Sequence, residues 1–151
     1  MDIYVAAISP SRSKPKSSQA AALAEDFLAR ASRYVRCEPV FHPAESALLK
    51  WVDRLTVRTS PSLILLDSRG KQFSSEEFAA FLGGLRNSGT QAIVLGIGPA
   101  DGWSEAARER ASLLLSLGRM TLPHELARAV LAEQVYRALT ILAGHPYHHG
   151  H

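Results

Sequence analysis

The sequence predicts an α/β protein in which helices cover both faces of a parallel sheet. Five short apolar segments have the composition of strands that are buried on both faces. Helical patterns separate these segments, and strands that alternate with helices are typical of a parallel sheet. The chain has no internal repeat, and its 151 residues suit one domain. The predicted strands are residues 3–8, 37–41, 63–66, 92–95 and 113–115.

The composition is that of a globular protein, with 46% hydrophobic and 21% charged residues. No apolar run reaches the ~18 residues that a membrane span requires, and the first residues lack the basic leader of a signal peptide. Cys37 is the only cysteine in the sequence, which excludes an intramolecular disulfide and a cysteine-based zinc site and predicts a buried thiol. We therefore expect a cytoplasmic protein with no membrane partner.

Charge is distributed unevenly along the chain. The net charge is +3, yet residues 1–71 carry 11 basic and 7 acidic side chains, whereas residues 72–151 carry 6 and 7. A basic N-terminal half suits a polyanionic partner. The segment 9–18 is either a solvated loop or an arm that contacts RNA phosphates, because it holds three cations and no acid. These cations are Arg12, Lys14 and Lys16.

Two helices are predicted around the second strand. The first, over residues 19–34, places Leu23, Phe27 and Ala31 four residues apart as its buried face. The second, over residues 44–55, is amphipathic.

The third strand runs into a turn that ends at Gly70, where a residue with positive φ is usual. Ser74 then caps a helix over residues 75–86, and Glu77 completes a capping box. The turn follows the end of a strand, which is where open α/β sheets bind ligands.

A glycine-rich loop follows the fourth strand and contains Gly96, Gly98 and Gly102. Glycines after a strand allow a ligand to approach the backbone closely. The spacing matches neither the dinucleotide-binding fingerprint nor the P-loop. Pro99 removes one N–H donor from this loop and fixes its φ angle.

The longest predicted helix lies near the C-terminus. A loop that contains Gly118 precedes it, Thr121 is placed to cap it, and Pro123 suits its first turn. The helix runs to Ala143 and ends at Gly144, so that it is about 30 Å long.

On a helical wheel this segment is apolar over half of its circumference, which is typical of a core helix or of a helix shared with a partner subunit. His124 and Arg128 break the pattern, because both project from the apolar half near the helix start. Either Arg128 extends to the rim of the core, or both residues line a site at the helix N-terminus. The apolar half carries Ala127, Val130, Leu131, Val135, Ala138, Leu139, Ile141 and Leu142, and the other half carries Glu125, Glu133, Tyr136, Arg137 and Thr140.

The closing stretch of the chain reads SLGRMTLPHELARAVLAEQVYRA and is followed by HPYHH. This stretch resembles the C-terminal signature of the RlmH family, and the segment LLDSRGKQFSSEEFA also matches the family pattern. The glycine-rich loop resembles its counterpart, except that Pro99 stands where a second glycine is usual. Members of the family are SPOUT-class methyltransferases that modify a pseudouridine in 23S ribosomal RNA.

The resemblance implies a fold, a cofactor and a partner. The fold would be one SPOUT domain over residues 1–151 with a C-terminal trefoil knot, and residues 63–149 would hold the knot and the cofactor site. The protein would be a homodimer that transfers a methyl group from S-adenosylmethionine to N3 of a pseudouridine in 23S rRNA of the ribosome. The donor is already activated, so no metal is needed. Cofactor-binding positions would be Leu66, Gly98, Leu117, Gly118, Arg119, Met120, Thr121 and Leu122.

The N3 proton must leave directly or through water, and histidine is a candidate acceptor because it titrates near neutral pH. His148 in the tail is the first candidate and His124 at the helix start the second, with Arg128 in the same catalytic group. Alternatively, His148 contacts RNA or the cofactor, or the tail is surface and His124 is structural. Tyr147 either stacks on a base or packs beneath the tail. The expected RNA-binding residues are Arg12, Lys14, Lys16, Tyr147 and His149, the last at a position where many homologues have arginine.

Two other functions stay open on the sequence. One is a non-catalytic RNA-binding or ribosome-associated protein on the same fold. The other is a small nucleotide-binding domain of flavodoxin type, which leaves the closing signature unexplained. Binding of S-adenosylmethionine separates the methyltransferase from both.

Overall fold

Strands and helices alternate along the chain. The structure is a computed structural model, and it describes residues 1–9, 18–55 and 58–149 except for the side chain of His148. The elements are β1 (Asp2–Ile8), α1 (Gln19–Ala31), β2 (Cys37–His42), α2 (Glu45–Arg54), β3 (Ser62–Gln72), α3 (Ser75–Asn87), β4 (Ala92–Ile97), α4 (Glu105–Arg110), β5 (Leu113–Ser116) and α5 (His124–Ala143), followed by a 3₁₀ turn at Pro146–His148.

The five strands form one sheet in the order β2-β1-β4-β3-β5. Every pairing between neighbouring strands is parallel, which confirms the predicted sheet. The flavodoxin order is 2-1-3-4-5, and here β4 instead lies between β1 and β3. The strand order therefore argues against the flavodoxin-type alternative.

Helices cover both faces of the sheet, as predicted. α1, α3 and α5 share one core with inward-facing residues such as Ile3, Ile64 and Ile93. α2 and α4 share the second core with Leu65 and Val94. Adjacent residues of one strand face opposite cores, which explains the apolar runs in β1, β4 and the first half of β3. No helix in the described ranges combines the length and hydropathy needed to cross a membrane.

The predicted helix ends at α3 and at the end of α5 are confirmed. Ser74 Oγ accepts from the Glu77 N–H at 3.1 Å, and Glu77 Oε1 accepts from the Ser74 N–H at 2.8 Å. Gly144 adopts the left-handed conformation with φ of 72°, which lets the His145 N–H reach the Thr140 carbonyl. Cys37 is buried as expected, and burial raises the pKa of its thiol to about 12.

The predicted start of the last helix is wrong. α5 begins at His124, Pro123 occupies the capping position, and Thr121 lies outside the helix. A residue that precedes proline disfavours helical dihedrals, so Leu122 cannot form the first helical turn. Thr121 instead stands exposed beside the cleft described below.

The predicted buried faces of two helices are also partly wrong. Tyr136 and Thr140 of α5 were expected opposite the apolar half but are buried, because α5 packs against α1 and α3 as well as the sheet. The ring centres of Tyr136 and Phe27 lie 6.0 Å apart. In α1 the buried positions are Ala21, Ala24, Leu28 and Ala31, whereas Leu23 is 47% exposed.

Candidate functional site

A cleft of about 630 Å³ opens at the carboxyl ends of β3 and β4. Ligands in open α/β sheets bind at this edge. Three segments form its walls: Leu66 to Arg69 of β3, the glycine-rich loop from Ile97 to Trp103, and the residues that lead into α5. The turn predicted at residues 67–70 is wrong, because β3 continues to Gln72 and Gly70 does not have a positive φ. The lining residues are Leu66, Asp67, Ser68, Arg69, Ile97, Gly98, Pro99, Ala100, Asp101, Gly102, Trp103, Arg108, Thr121, Leu122, Pro123, His124 and Ala127.

A smaller cavity of about 230 Å³ continues from this cleft along the loop after β5. Leu117, Gly118 and Met120 line it, together with residues that also line the main cleft. The structure thus brings Leu66, Gly98, Leu117, Gly118, Met120, Thr121 and Leu122 to one region. Arg119 is exposed and lines neither cavity.

The loop after β5 has a conformation that only glycine adopts readily. Gly118 has φ of +138°, and nothing lies within 4 Å of the position that a Cβ would occupy. The hydroxyl of buried Ser116 accepts from the Gly118 N–H and donates to the Gly118 carbonyl, both at 3.1 Å. These local bonds fix the loop and leave the backbone groups of the following residues beside the cavity.

Trp103 supports the cleft from beneath and was missed by the sequence reasoning. Its ring is 4% exposed, and its indole N–H donates to the Leu66 carbonyl at 2.9 Å. A Cβ on Gly98 would lie 2.8 Å from Cε2 of this ring. Gly98 is therefore required by Trp103, in addition to any space that its lack of a side chain leaves for a ligand. An aromatic residue directly after the glycine-rich loop is the signal that could have indicated this role.

Asp67 and two arginines connect the walls of the cleft. The Arg69 N–H donates to Asp67 Oδ1 at 2.8 Å, and Arg108 Nη1 lies 3.7 Å from Asp67 Oδ2 while donating to the Trp103 carbonyl at 3.1 Å. Burial opposes ionisation of Asp67, but the hydrogen bonds from Arg69 and the charges of both arginines outweigh it and lower the pKa. Asp67 is thus an anion that holds β3, α4 and the glycine-rich loop together.

The glycine-rich loop is closed by a turn. The Gly102 N–H donates to the Pro99 carbonyl at 2.9 Å, and Gly102 has φ of +86°. Ser104 caps α4, and its N–H donates to Glu45 of α2 at 2.8 Å. Pro99 thus uses its carbonyl within the loop, and it lines both the cleft and a second pocket.

The second pocket has about 320 Å³ and lies beside the cleft. Pro99, Ala100 and His124 line both cavities, and Arg128 lines only the second pocket. Arg128 is 2% exposed, and its guanidinium carbon lies 5.0 Å from the centre of the Phe41 ring. Burial lowers the pKa of Arg128, and nearby carboxylates partly offset this effect. Arg128 does not extend to the rim; together with His124 it lines a cavity at the helix start.

The tail packs along α5, away from the cleft of its own chain. The Tyr147 ring lies 4.6 Å from that of Tyr136, and its hydroxyl donates to Glu133 at 3.3 Å. Glu133 is nine residues beyond His124, which is about 13 Å along the helix. His149 is exposed. Within one chain, the structure does not bring Tyr147 to the cleft.

Some predicted residues lie outside the described residues. These are Arg12, Lys14 and Lys16 and the side chain of His148. Within the described ranges, no group of three or more histidine, cysteine or acidic side chains could hold a metal ion.

Comparisons with known proteins agree on one family. Residues 1–148 match the family model described as "Predicted SPOUT methyltransferase". The ribosomal RNA large subunit methyltransferase H of Koribacter versatilis is 53% identical over 138 residues, which cover 91% of this chain and 94% of that protein. Its namesake from Brucella ovis is 55% identical over 87 residues, covering 58% of this chain and 52% of the relative.

A solved structure supports the fold. The SpoU methyltransferase AviRb from Streptomyces viridochromogenes, crystallised in complex with the cofactor AdoMet, superposes with a TM-score of 0.53. The match covers 95% of this chain and 58% of that structure at 15% sequence identity, which indicates a shared fold only. From the family model and the near full-length relative, the chain belongs to the SPOUT methyltransferases and, among them, to the RlmH family.

Proposed function

We propose that this protein transfers a methyl group from S-adenosylmethionine to N3 of a pseudouridine in 23S rRNA of the large ribosomal subunit. One observation carries the proposal. Three segments far apart in sequence, to which the family resemblance assigns the cofactor, line one continuous cleft. The near full-length relative is named a ribosomal RNA large subunit methyltransferase, which supports the same reaction.

The cleft fits the proposed cofactor. Leu66, Leu117 and Leu122 would supply apolar walls for an adenosine, and the backbone of residues 120–122, which follow Gly118, would meet its polar edge. When bound, the cofactor supplies a methyl group activated by a cationic sulfur. The protein aligns donor and acceptor, and proximity alone can lower the barrier by several kcal/mol.

Two histidines are proposed as acceptors of the N3 proton. His124 stands where the cleft meets the second pocket, and its buried Nε2 has no hydrogen-bond partner among the described residues. His148 is carried by the tail and would come from a partner subunit. Replacing each with alanine separates them, because only loss of the base changes the pH dependence of kcat as well as its size.

We infer that residues 1–151 form one SPOUT domain and that residues 63–149 contain a trefoil knot and the cofactor site. β3 pairs with β5 on both sides of an irregularity between Leu66 and Lys71. A Cβ on Gly70 would lie 2.5 Å from the Leu114 carbonyl carbon, so these two stretches cross with no space for a side chain. An experimental structure with a continuous trace through this region tests the knot.

We infer a cytoplasmic homodimer in which each tail serves the partner's cleft. Leu23 of α1 and Leu126 of α5 are 47% and 42% exposed, which suits a surface covered by a second copy. The distance of Tyr147 from its own cleft supports the exchange of tails. The partner's basic N-terminal half would contact RNA phosphates, with Tyr147 and His149 nearer the target base. The contributing cations would be Arg12, Lys14 and Lys16.

Two measurements test the proposed function. Calorimetry with S-adenosylmethionine should give one binding site per chain. Incubation of the protein and labelled cofactor with ribosomes that lack the modification should add one methyl group, which mass spectrometry of the rRNA nucleosides locates. RNA binding without cofactor binding would instead support the non-catalytic alternative.

A further inference from the structure

The pocket around Arg128 has the chemistry of a binding site, not of a packed core. Arg128 is 2% exposed, yet its Nη1 has no hydrogen-bond partner among the residues that the structure describes. An unpaired buried polar atom is costly, so such atoms in folded proteins call for an explanation. His124 Nε2 lies on the same pocket and is likewise buried without a partner in the described ranges.

The walls of this pocket select the kind of ligand. They are formed largely by apolar groups from the ends of β1 and β2 and from the glycine-rich loop, namely Ala7, Ile8, Phe41, Pro99 and Ala100. Glu125 also lines the pocket. A phosphate would bring two negative charges beside this carboxylate against a single cation. A flat, neutral ring with carbonyl oxygens matches apolar walls that carry one hydrogen-bond donor.

We infer that this pocket receives the acceptor base and that Arg128 is a catalytic residue that donates a hydrogen bond to the carbonyl oxygen beside the methylated nitrogen. This inference rests on the proposed function and assigns a role within it. The two cavities share Pro99, Ala100 and His124, so a base in this pocket faces a methyl donor in the cleft.

The role of Arg128 follows from the charge that develops in the base. The ring nitrogen gives its proton to Nε2 of His124, and its electron pair forms the new bond to the methyl carbon. The electrons of the broken carbon–sulfur bond remain on sulfur, which becomes a neutral thioether. Deprotonation spreads negative charge onto the adjacent oxygen, and a buried guanidinium stabilises that charge more strongly than water does. Arginine stays protonated in proteins, so this donor is always charged.

Three charged or titratable groups face Arg128. Glu25 of α1 and Glu125 of α5 favour its charged form, and His124 shares its pocket. The Glu125 carboxylate also accepts from the Ser18 hydroxyl at 2.5 Å. The charges of these carboxylates favour the guanidinium cation, and its Nη1 has no hydrogen-bond partner among the described residues.

Replacement of Arg128 with methionine and with lysine tests the inference. We expect kcat for methyl transfer to ribosomes to fall about 100-fold in Arg128→Met, as when a donor to a developing anion is removed, with the cofactor affinity unchanged. The defect should shrink as the pH rises, because alkaline solution ionises the base without help. Arg128→Lys keeps the charge and should retain part of the activity. Arg30→Lys is the matched control, since Arg30 lies 5.6 Å from the Phe27 ring on an exposed part of α1.

Each outcome has a defined meaning. Weaker binding of S-adenosylmethionine in Arg128→Met would assign the guanidinium to the cofactor and overturn the inference, as would a loss of rate that is equal at every pH. If Arg128→Met fails to fold, the pH profile of Arg128→Lys decides the question. An inactive wild-type protein measured in parallel would reject the proposed function itself, whereas active wild type with unaffected variants would reject only the role of Arg128.

Discussion

At the scale of single residues, the indole of Trp103 determines the shape of the candidate cofactor cleft. It fills the space beside Gly96 and Gly98 and donates a hydrogen bond to the carbonyl of Leu66, so it fixes two of the positions proposed for the cofactor. Neither glycine is explained by its own φ angle, because both lie outside the left-handed region. Their role is to let an aromatic ring approach the backbone.

Gly98→Ala should therefore weaken cofactor binding through Trp103. The new Cβ would lie 2.8 Å from the ring, so the indole must move and its bond to Leu66 must weaken. We expect a loss of about 1–3 kcal/mol in the free energy of unfolding, typical of overpacking, together with a higher Kd for S-adenosylmethionine. Urea denaturation and calorimetry measure the two effects.

Two further variants make this prediction specific. Gly84→Ala on the exposed side of α3 is the control, because no atom lies within 4 Å of its Cβ and alanine favours a helix. Trp103→Phe in the Gly98→Ala background should cost less than the sum of both single changes, since the smaller ring relieves the contact. Strict additivity would contradict the proposed contact between these two positions.

Asp67 makes stability depend on pH in a predictable direction. Its pKa is lowered in the folded protein, so its carboxylate stabilises the fold above its unfolded pKa, and this contribution is lost as the pH falls through the folded pKa. Asp67→Asn should therefore lose about 1–3 kcal/mol near neutral pH, and the difference from wild type should shrink below about pH 4. Urea denaturation across this pH range measures it. A stability difference between Asp67→Asn and wild type that stays constant down to the lowest pH at which both proteins fold would exclude an ionised Asp67.

At the scale of elements, local signals predicted what depends on nearby residues. The strands, the capping box at Ser74 and the glycine that ends α5 were all predicted, because each depends on residues a few positions apart. The second half of β3 was missed, since its sequence is polar and it becomes a strand only by pairing Lys71 and Gln72 with β5. The buried side of α5 was misassigned because two other helices pack against it.

The candidate site was also predicted only in part, because some of its features depend on contacts between distant segments. Most positions that the family resemblance proposes for the cofactor line the two adjoining cavities, with Arg119 as the exception. The resemblance did not indicate Trp103, Asp67 or Arg108, whose contacts join β3, the glycine-rich loop and α4. Contacts between distant segments cannot be inferred from a single sequence without its fold.

The tail is an element that can be removed without disturbing the cleft. Deletion of residues 146–151 takes away Tyr147, which contacts Glu133, Tyr136 and Arg137 in the second half of α5. We expect S-adenosylmethionine affinity to remain nearly unchanged and methyl transfer to ribosomes to be lost. Tyr147→Phe, which removes only the hydroxyl, is the control for packing. Full activity of the truncated protein would exclude a role for the tail.

At the scale of the whole molecule, the proposed dimer predicts a linkage between assembly and activity. Leu23→Asp combined with Leu126→Asp places charges on the exposed apolar surface of α1 and α5. Sedimentation should give a mass near 16.4 kDa for this variant, against twice that mass for wild type at micromolar concentration. Asn87→Asp at the end of α3 adds a charge elsewhere as a control. A monomeric wild-type protein would contradict the proposed dimer.

Exchange of tails between subunits predicts complementation between two inactive variants. A subunit without residues 146–151 retains its cleft. A Gly98→Ala subunit retains its tail, and at a cofactor concentration far below its raised Kd its cleft is empty, so that both variants are inactive under these conditions. In a mixed dimer, the intact tail of the second serves the intact cleft of the first, so one complete site forms. Random mixing after dissociation should restore about a quarter of wild-type methyl transfer, since half of the dimers are mixed and each has one working site. The activity should also fall steeply with salt, because basic side chains of the partner hold the RNA. Mixtures that stay as inactive as either variant alone, although mass spectrometry detects the mixed dimer, would place the tail's function within its own chain.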